Sequence, residues 1–383
     1  MRAICVDSLD ELADYKEQWE DLRKRCGGSI YTSYPLSELW LEVFSRVVSP
    51  RVLILEDKGD IVAIAPMALQ QYSIAKMPIK MLTLIGDMDM RLGLNTLRVL
   101  SLPDRPNIMD EVMGSIAELD WNILRTNFME DTDDTRQLLE LFQSTWKCDG
   151  DMSSPTITCH LPKEGDITSC FGKSTRSKLR QQIRRLEREG RLELRPVPSY
   201  DMDRAVRTYT RQHIERWSTK GGSIFLDPEN VDFLTRAMEL SVRNGFGFAY
   251  ELLIDKEVAA QQFGFIDRGC ACGYRSGMNN SFHSSSPGKL LTYYVMTDMR
   301  DRGLTMFNLG EGGEEYKYHM GGQARQLVGQ RAKRGMVSVI STVADSTMMR
   351  NIDSLLMLRK RLLRERTNRC SAIGANGAEL DRL

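Results

Sequence analysis

Tyr250-Glu-Leu-Leu-Ile-Asp-Lys-Glu-Val-Ala-Ala-Gln-Gln-Phe-Gly-Phe265 reads as a β-hairpin. An apolar strand leads into an Asp255-Lys256 turn, and the second strand opens on β-branched and alanine residues. Val52-Leu-Ile-Leu-Glu-Asp-Lys-Gly-Asp-Ile-Val-Ala-Ile-Ala-Pro-Met67 follows the same plan around Asp57-Lys58. Each hairpin comes after an amphipathic helical region at a similar place in its half of the chain. We read this as internal duplication of one mixed unit, chance likeness between two common hairpins being the alternative.

Working outward, the join falls between Lys147 and Pro162, where Cys148-Asp-Gly-Asp-Met-Ser-Ser-Pro155 is turn chemistry. Apolar spacing predicts helices over Leu9–Cys26, Tyr34–Val48, Asp134–Trp146, Ser174–Gly190, Met202–Trp217 and Val231–Asn244. Ile79–Ile85 and Ala117–Leu124 read as helix or strand edges. After the second hairpin come a strand near Ala271–Gly277, a helix Gly288–Arg302 and a strand Met306–Leu309. The fold class is α/β (α+β): two tandem domains, 1–155 and 156–343, each a mixed, mostly antiparallel sheet flanked by helices. Residues 344–383 read as a basic amphipathic helix and tail.

The 383 residues suffice for two domains with full cores. Lys plus Arg and Asp plus Glu both number 52, so net charge names no partner and only local clustering is informative. The first ten residues meet an acid at Asp7 and lack the apolar centre of a signal peptide, and no apolar run approaches a bilayer span. The expected location is therefore the cytoplasm. Eight scattered cysteines form no C-x-x-C pair, and four histidines have no zinc spacing, so no metal is expected. Cys270 and Cys272 share one face of a strand and read as core.

Chemistry concentrates in Ser284-Ser-Ser-Pro-Gly-Lys289, which opens a helix, and in Gly310-Glu-Gly-Gly-Glu-Glu-Tyr-Lys-Tyr-His-Met-Gly-Gly322. The first backbone N–H groups of a helix lack intrahelical partners and its dipole favours an anion, so Ser285, Ser286, Gly288 and Lys289 are candidate phosphate contacts. Gly288 is expected to free φ there. A plain helix cap with proline at its start is the bland alternative. The loop is not a Walker A motif, which excludes an NTPase, and Gly310–Gly313 has no Rossmann spacing. Acyl transfer from a thioester to an amine needs a base, oriented N–H groups for the oxyanion and an acid for the thiolate, with no covalent nucleophile. Glu311, Glu314 and Glu315 are candidate bases, with His283 and Glu251 in reserve. Tyr316, Tyr318 and Tyr274 are candidate acids, and the backbone of Tyr274–Ser276 supplies candidate oxyanion donors.

With these residues in view, the chain resembles the GNAT acyltransferase superfamily, specifically the tandem-GNAT group of CelD-type enzymes and, more distantly, Fem-type aminoacyl transferases. The resemblance covers about Tyr31 to Gly322. It rests on Trp40 in the opening helix, Lys178-Leu-Arg180, Arg184-Arg185, Leu186-Glu-Arg-Glu-Gly190, Trp217 at a helix end, Arg275-Ser-Gly277, Ser286-Pro-Gly288 with Leu290-Leu291, and Tyr316-Lys-Tyr318. It implies an acyl-CoA or aminoacyl donor in the second unit, near Ser286, Gly288 and Lys289, and a first unit without a cofactor. Lys317 matches a lysine that Fem-type enzymes place near the donor. The family's usual aspartate-bearing run is replaced by Glu311-Gly-Gly-Glu314. The implied setting is cell-envelope polysaccharide biosynthesis.

Site expectations are then Glu311, Tyr316, Lys317 and Tyr318 for catalysis, and Tyr274, Ser276, Ser285, Ser286, Gly288 and Lys289 for acyl-CoA. Trp217 and Lys220 are expected at the acceptor, although a core role is the stronger reading for Trp217. A small-molecule or lipid-linked acceptor is the expected partner. An aminoacyl-tRNA-dependent transferase and a non-catalytic scaffold are the alternatives. Lys173–Arg191 is a basic helix whose face either meets solvent or docks phosphates, such as an anionic membrane at the inner-membrane periphery. Zero net charge disfavours nucleic acid.

Overall fold

The computed structural model describes residues 1–335 apart from 75–76, 88–91, 104, 106, 152 and 219–221. Lys220 and the 344–383 helix read from sequence lie outside the described residues. In chain order the first elements are β1 (Arg2–Val6), α1 (Leu9–Ala13), α2 (Lys16–Arg25), α3 (Tyr34–Val43), β2 (Val48–Pro50), β3 (Val52–Asp57) and β4 (Asp60–Ala65). Next come β5 (Met67–Ile74), β6 (Met77–Leu84), β7 (Leu100–Ser101), α4 (Ile108–Glu118), β8 (Ile123–Glu130), α5 (Asp133–Thr145), β9 (Lys147–Asp151) and β10 (Ser154–His160). The second half runs α6 (Lys173–Arg188), β11 (Leu192–Pro196), α7 (Met202–Trp217), α8 (Pro228–Arg243), β12 (Gly247–Ile254), β13 (Glu257–Asp267) and β14 (Cys270–Met278). It ends with α9 (Pro287–Asp301), β15 (Met306–Glu311), α10 (Glu315–His319) and β16 (Gln323–Lys333).

Two compact units result. Among the described residues, unit one holds Met1–Cys159 and Asn308–Gly335, and unit two holds His160–Phe307. The last strand belongs to the N-terminal unit. The cause is pairing: β16 is antiparallel to β10, β8 and β9, so its backbone groups are satisfied there. Unit one also carries a four-stranded sheet ordered β1–β3–β4–β7. Its helices anchor through Trp19 and Trp40, both fully buried, whose indole N–H groups donate to the Thr32 and Leu92 carbonyls at 2.8 and 3.2 Å. The single helix expected over Leu9–Cys26 is two, interrupted at Asp14–Tyr15. No helix among the described residues is long and apolar enough to cross a membrane.

In unit two, strands β11, β12, β13 and β14 form consecutive antiparallel pairs. Leu252, Ile254, Phe263 and Phe265 from this sheet are buried, as are Phe233 and Met238 of α8. One acid lies in that interior. Glu251, a reserve base in the sequence, is fully buried and accepts from Arg195 Nε at 3.0 Å, both Arg204 terminal nitrogens at 3.0 and 2.9 Å, and Gln261 Nε2 at 2.9 Å. A carboxylate so fully engaged is a structural anchor.

The duplication is visible in backbone detail. Each hairpin closes through two residues in the left-handed region, Lys58 (φ 54°) and Gly59 (φ 91°) in one, Asp255 (φ 54°) and Lys256 (φ 68°) in the other. Positive φ at both positions gives the turn whose twist matches the strands. Each hairpin also carries one bulge at the same step. Leu55 faces Ala63 and Glu56 faces Ile61, skipping Val62; Leu252 faces Ala260 and Leu253 faces Val258, skipping Ala259. The structural equivalence therefore matches Lys58-Gly59 with Asp255-Lys256. Superposing the two Asp-Lys pairs, as the sequence invites, is one residue out of register.

Candidate functional site

The sequence candidates divide between the units, and each group is built by its own. In unit two they lie on β14 and at the start of α9. Phe263 faces Arg275 and Gly264 faces Gly273, so Tyr274 is the extra residue of a β-bulge. Its ring is 5% exposed and packs against Phe265, with centroids 5.2 Å apart. Burial pushes the Tyr274 hydroxyl up to about 12, against the pull of the Arg275 guanidinium, which lies 4.6 Å over the ring. Tyr274 thus joins the core through its side chain, while the bulge takes its backbone out of regular register. Ser276 is exposed.

Helix α9 starts at Ser286, whose φ of 45° and ψ of 49° are left-handed, and no side chain caps it. The strained residue is the serine; Gly288 sits inside the helix, contrary to the role expected for it. Within the first turn, Pro287 has no N–H, and the Lys289 and Leu290 amides both return to the Ser286 carbonyl, at 3.0 and 3.3 Å. The Gly288 amide is left without a bond among the described residues. A Cβ placed on Gly288 would meet nothing within 4 Å, so the approach is open. Ser285, Ser286 and Lys289 are partly exposed around it.

Helix α4 occupies the corresponding place in unit one, before the strand that follows the hairpin region. It too begins after a left-handed residue, Asn107 (φ 63°), but carries Asp110 and Glu111 in its first turn. The α9 first turn has no acid. Acids in the first turn disfavour an anion at the α4 start, and the α9 start lacks that repulsion. Leu97 exchanges backbone bonds of 2.8 Å with Phe128 and Glu130. Arg125 and Asp87, each 1% exposed by side chain, pair at 3.2 Å, and Asp87 also accepts from the Asn127 amide at 2.8 Å.

Trp217 ends α7 and is 40% exposed, so the core role favoured from sequence is not the one it takes. Its ring stacks on His213, centroids 5.7 Å apart and planes within 15°. His213 and Tyr209 were not singled out by sequence reading, although the 209, 213, 217 spacing puts all three on one helix face. His213 Nδ1 lies 2.8 Å from Ser223 Oγ, and burial, aided by Arg275 and Arg216, lowers its pKa to about 4. Between pH 4 and 6.5 the unfolded chain then binds the extra proton. Stability is therefore expected to fall as pH drops through that window, and His213→Gln to flatten the slope; denaturant titrations from pH 7 to 4 that overlay for both proteins would refute it.

In unit one, the Gly310–Met320 turn gathers the other candidates. Gly310 (φ 84°) and Gly312 (φ 99°) curl the chain so that its carbonyls point inward. Lys317, 3% exposed, fills that curl. Its Nζ donates to the carbonyls of Gly310 at 3.3 Å, Glu311 and Gly312 at 3.1 Å, and pairs with Glu314 Oε2 at 2.8 Å. Partial burial raises the Glu314 pKa, but the Lys317 bond and a backbone amide outweigh it, leaving the carboxyl below its usual range. Glu311 is half-buried, and its Oε1 accepts from Ser154 Oγ at 2.9 Å. Tyr316 is half-buried and Tyr318 is 43% exposed. His283 is exposed. Among the described residues no group of three or more His, Cys, Asp or Glu could hold a metal ion.

Residues 173–318, from the first residue of α6 to Tyr318, match the acetyltransferase (GNAT) domain family. Over that segment the chain is similar to a GNAT domain. Its match takes in both the α9 start and the Gly310 turn. Among solved structures, FemX is similar with a TM-score of 0.62 at 9% identity, over 90% of this chain and 99% of that one. A conserved protein of unknown function from Bacteroides thetaiotaomicron VPI-5482 gives 0.52 at 12% identity, over 87% and 100%. A tandem GNAT protein from the clavulanic acid biosynthesis pathway gives 0.50 at 10% identity, over 87% and 99%. At such identities these likenesses speak for the fold: mixed α/β, tandem GNAT-like. No curated protein matches the chain.

Proposed function

We propose that the GNAT domain transfers an acyl group from acyl-CoA to an amine or hydroxyl, in the manner of CelD-type enzymes acting on cell-envelope polysaccharide precursors. The observation that carries this reading is the uncapped α9 start within the matched segment. The free Gly288 amide, the neighbouring serine hydroxyls and the Lys289 ammonium suit the phosphates of coenzyme A. The acceptor attacks the thioester carbonyl, and backbone N–H groups at the Tyr274 bulge receive the developing oxyanion before the thiolate leaves. The base for the acceptor's proton and the acid for the thiolate are taken from the sequence reading, Glu311 and Tyr316 or Tyr318. Trp217, exposed at a helix end, is assigned to the acceptor.

Thermal unfolding with acetyl-, medium- and long-chain acyl-CoA tests the donor. A ligand at a hundred times its Kd adds about 2.7 kcal/mol. Gly288→Glu is expected to abolish that gain by placing a carboxylate where the phosphates sit. The variant alone should melt close to wild type, since its Cβ enters open space. No shift with any thioester or free coenzyme A, or an undiminished shift in the variant, would remove the assignment.

A further inference from the structure

Helix α6 holds seven cations, Lys173, Arg176, Lys178, Arg180, Arg184, Arg185 and Arg188, against the single acid Glu187. Leu179, Ile183 and Leu186 are its buried residues and form one narrow stripe. At 100° per residue, the exposed Lys173, Lys178, Arg184, Arg185 and Arg188 all fall on the half of the helix away from that stripe, Arg188 most directly opposite it. Internal partners account for few of the charges. Arg180 pairs with Asp166 at 2.6 Å, and Arg176 donates to the Ser169 and Phe171 carbonyls at 3.2 and 3.1 Å. Glu187 accepts from the Tyr294 hydroxyl at 2.8 Å. Lys173, Lys178, Arg184, Arg185 and Arg188 are exposed and make no ion pair among the described residues. Crowding so many unneutralised cations on one helix costs stability through repulsion. In a chain of zero net charge it is not a by-product of basic composition.

We infer that this face of α6 docks the protein on an anionic phospholipid surface. Its shape favours a flat array of phosphates. The cations run in line along about 24 Å of helix. All of them but Lys178 line a shallow groove of about 670 Å³ whose lining residues all belong to α6. A nucleic-acid strand is gripped by cations on more than one wall together with aromatic side chains on which bases stack. This groove has neither a second element nor an aromatic residue in its lining. A planar array of lipid headgroups can meet the five exposed cations on the outer half of one straight helix together. Each is worth about fivefold in partitioning near an anionic surface. The inference is independent of the acyl-transfer reading, and it uses no residue placed in that machinery.

Co-sedimentation of the full chain with vesicles tests it, comparing pure phosphatidylcholine with phosphatidylcholine containing one third phosphatidylglycerol. Binding is expected only to the anionic vesicles, and to vanish in molar salt, where the screening length shrinks to about 3 Å. Substituting Lys173, Arg184, Arg185 and Arg188 by Gln together should weaken partitioning by about 10²–10³-fold while leaving the melting temperature unchanged. Absence of sedimentation with anionic vesicles at low salt overturns the inference. So does a quadruple variant that sediments like wild type, which would place the contact elsewhere on the chain. Tighter, steeply salt-dependent binding of structured RNA, with vesicles left unbound, would reassign the face to nucleic acid.

Discussion

Glu311→Gln is expected to lower turnover by about 10²–10⁴-fold, the range over which a positioned general base acts, with the fold left intact. The substitution is close to isosteric, and the amide oxygen can still accept the Ser154 hydroxyl that now bonds Oε1 at 2.9 Å. The Glu311 backbone is fixed by contacts the side chain does not share. The preceding Gly310 amide donates to Asn308 Oδ1 at 2.6 Å, and the following Gly312 amide donates to the Pro155 carbonyl at 2.8 Å. What the variant loses is the capacity to hold a proton. Steady-state rates with the acyl-CoA found by thermal shift are the measurement, with that ligand's stabilisation recorded on the same variant. A large rate loss with donor binding preserved is the expected pattern. Turnover within a few-fold of wild type would take the base role away from Glu311 and leave the donor assignment standing, because Gly288→Glu tests the latter separately.

Much of the scaffold could be read from residue spacing. The helices α5 to α9 and both hairpins follow from apolar periodicity and turn chemistry, since each buries one stripe or one strand face. Strand β16 could not be read this way. Gln323-Ala-Arg-Gln-Leu-Val-Gly-Gln-Arg-Ala-Lys333 has weak alternation, and its first four residues are exposed, yet it is paired on both edges between β10 and β8. Strand partners separated by about 170 to 200 residues leave no mark in local pattern, which is why the assignment of the last strands to unit one emerges only in three dimensions. The one-residue offset between the hairpins has a local cause. The eye aligns matching side chains, Asp and Lys, whereas the fold conserves backbone positions of positive φ and the bulge. Of the site, the helix start was legible because proline, glycine and serine mark it. The reduction of its cradle to one free amide was not, because that depends on where the Lys289 and Leu290 N–H groups turn.

Lys317 shows the same limit and carries the second large effect. The resemblance to Fem-type enzymes implies a role near the donor, but burial of the ammonium under three carbonyls and a carboxylate makes it a clamp on the turn that presents Glu311. Lys317→Met keeps the length of the stem and deletes the charge. The three carbonyls then lose a charged donor, and bonds to charged groups contribute about 1.5–3 kcal/mol each. Partial hydration of the loosened turn recovers some of this, so the net loss should be about 3–5 kcal/mol, as for other broken buried ion contacts. Lys317→Arg should not rescue, because a planar guanidinium cannot converge on acceptors arranged around a point charge. Removing only the carboxylate, in Glu314→Gln, should cost much less, since that side chain is 59% exposed and contributes one of the four contacts. Urea unfolding of the three variants checks the order. A Lys317→Met protein as stable as wild type would show that the ammonium does not hold the turn. The fall in turnover expected from its loosening, through displacement of Glu311, would then lose its basis.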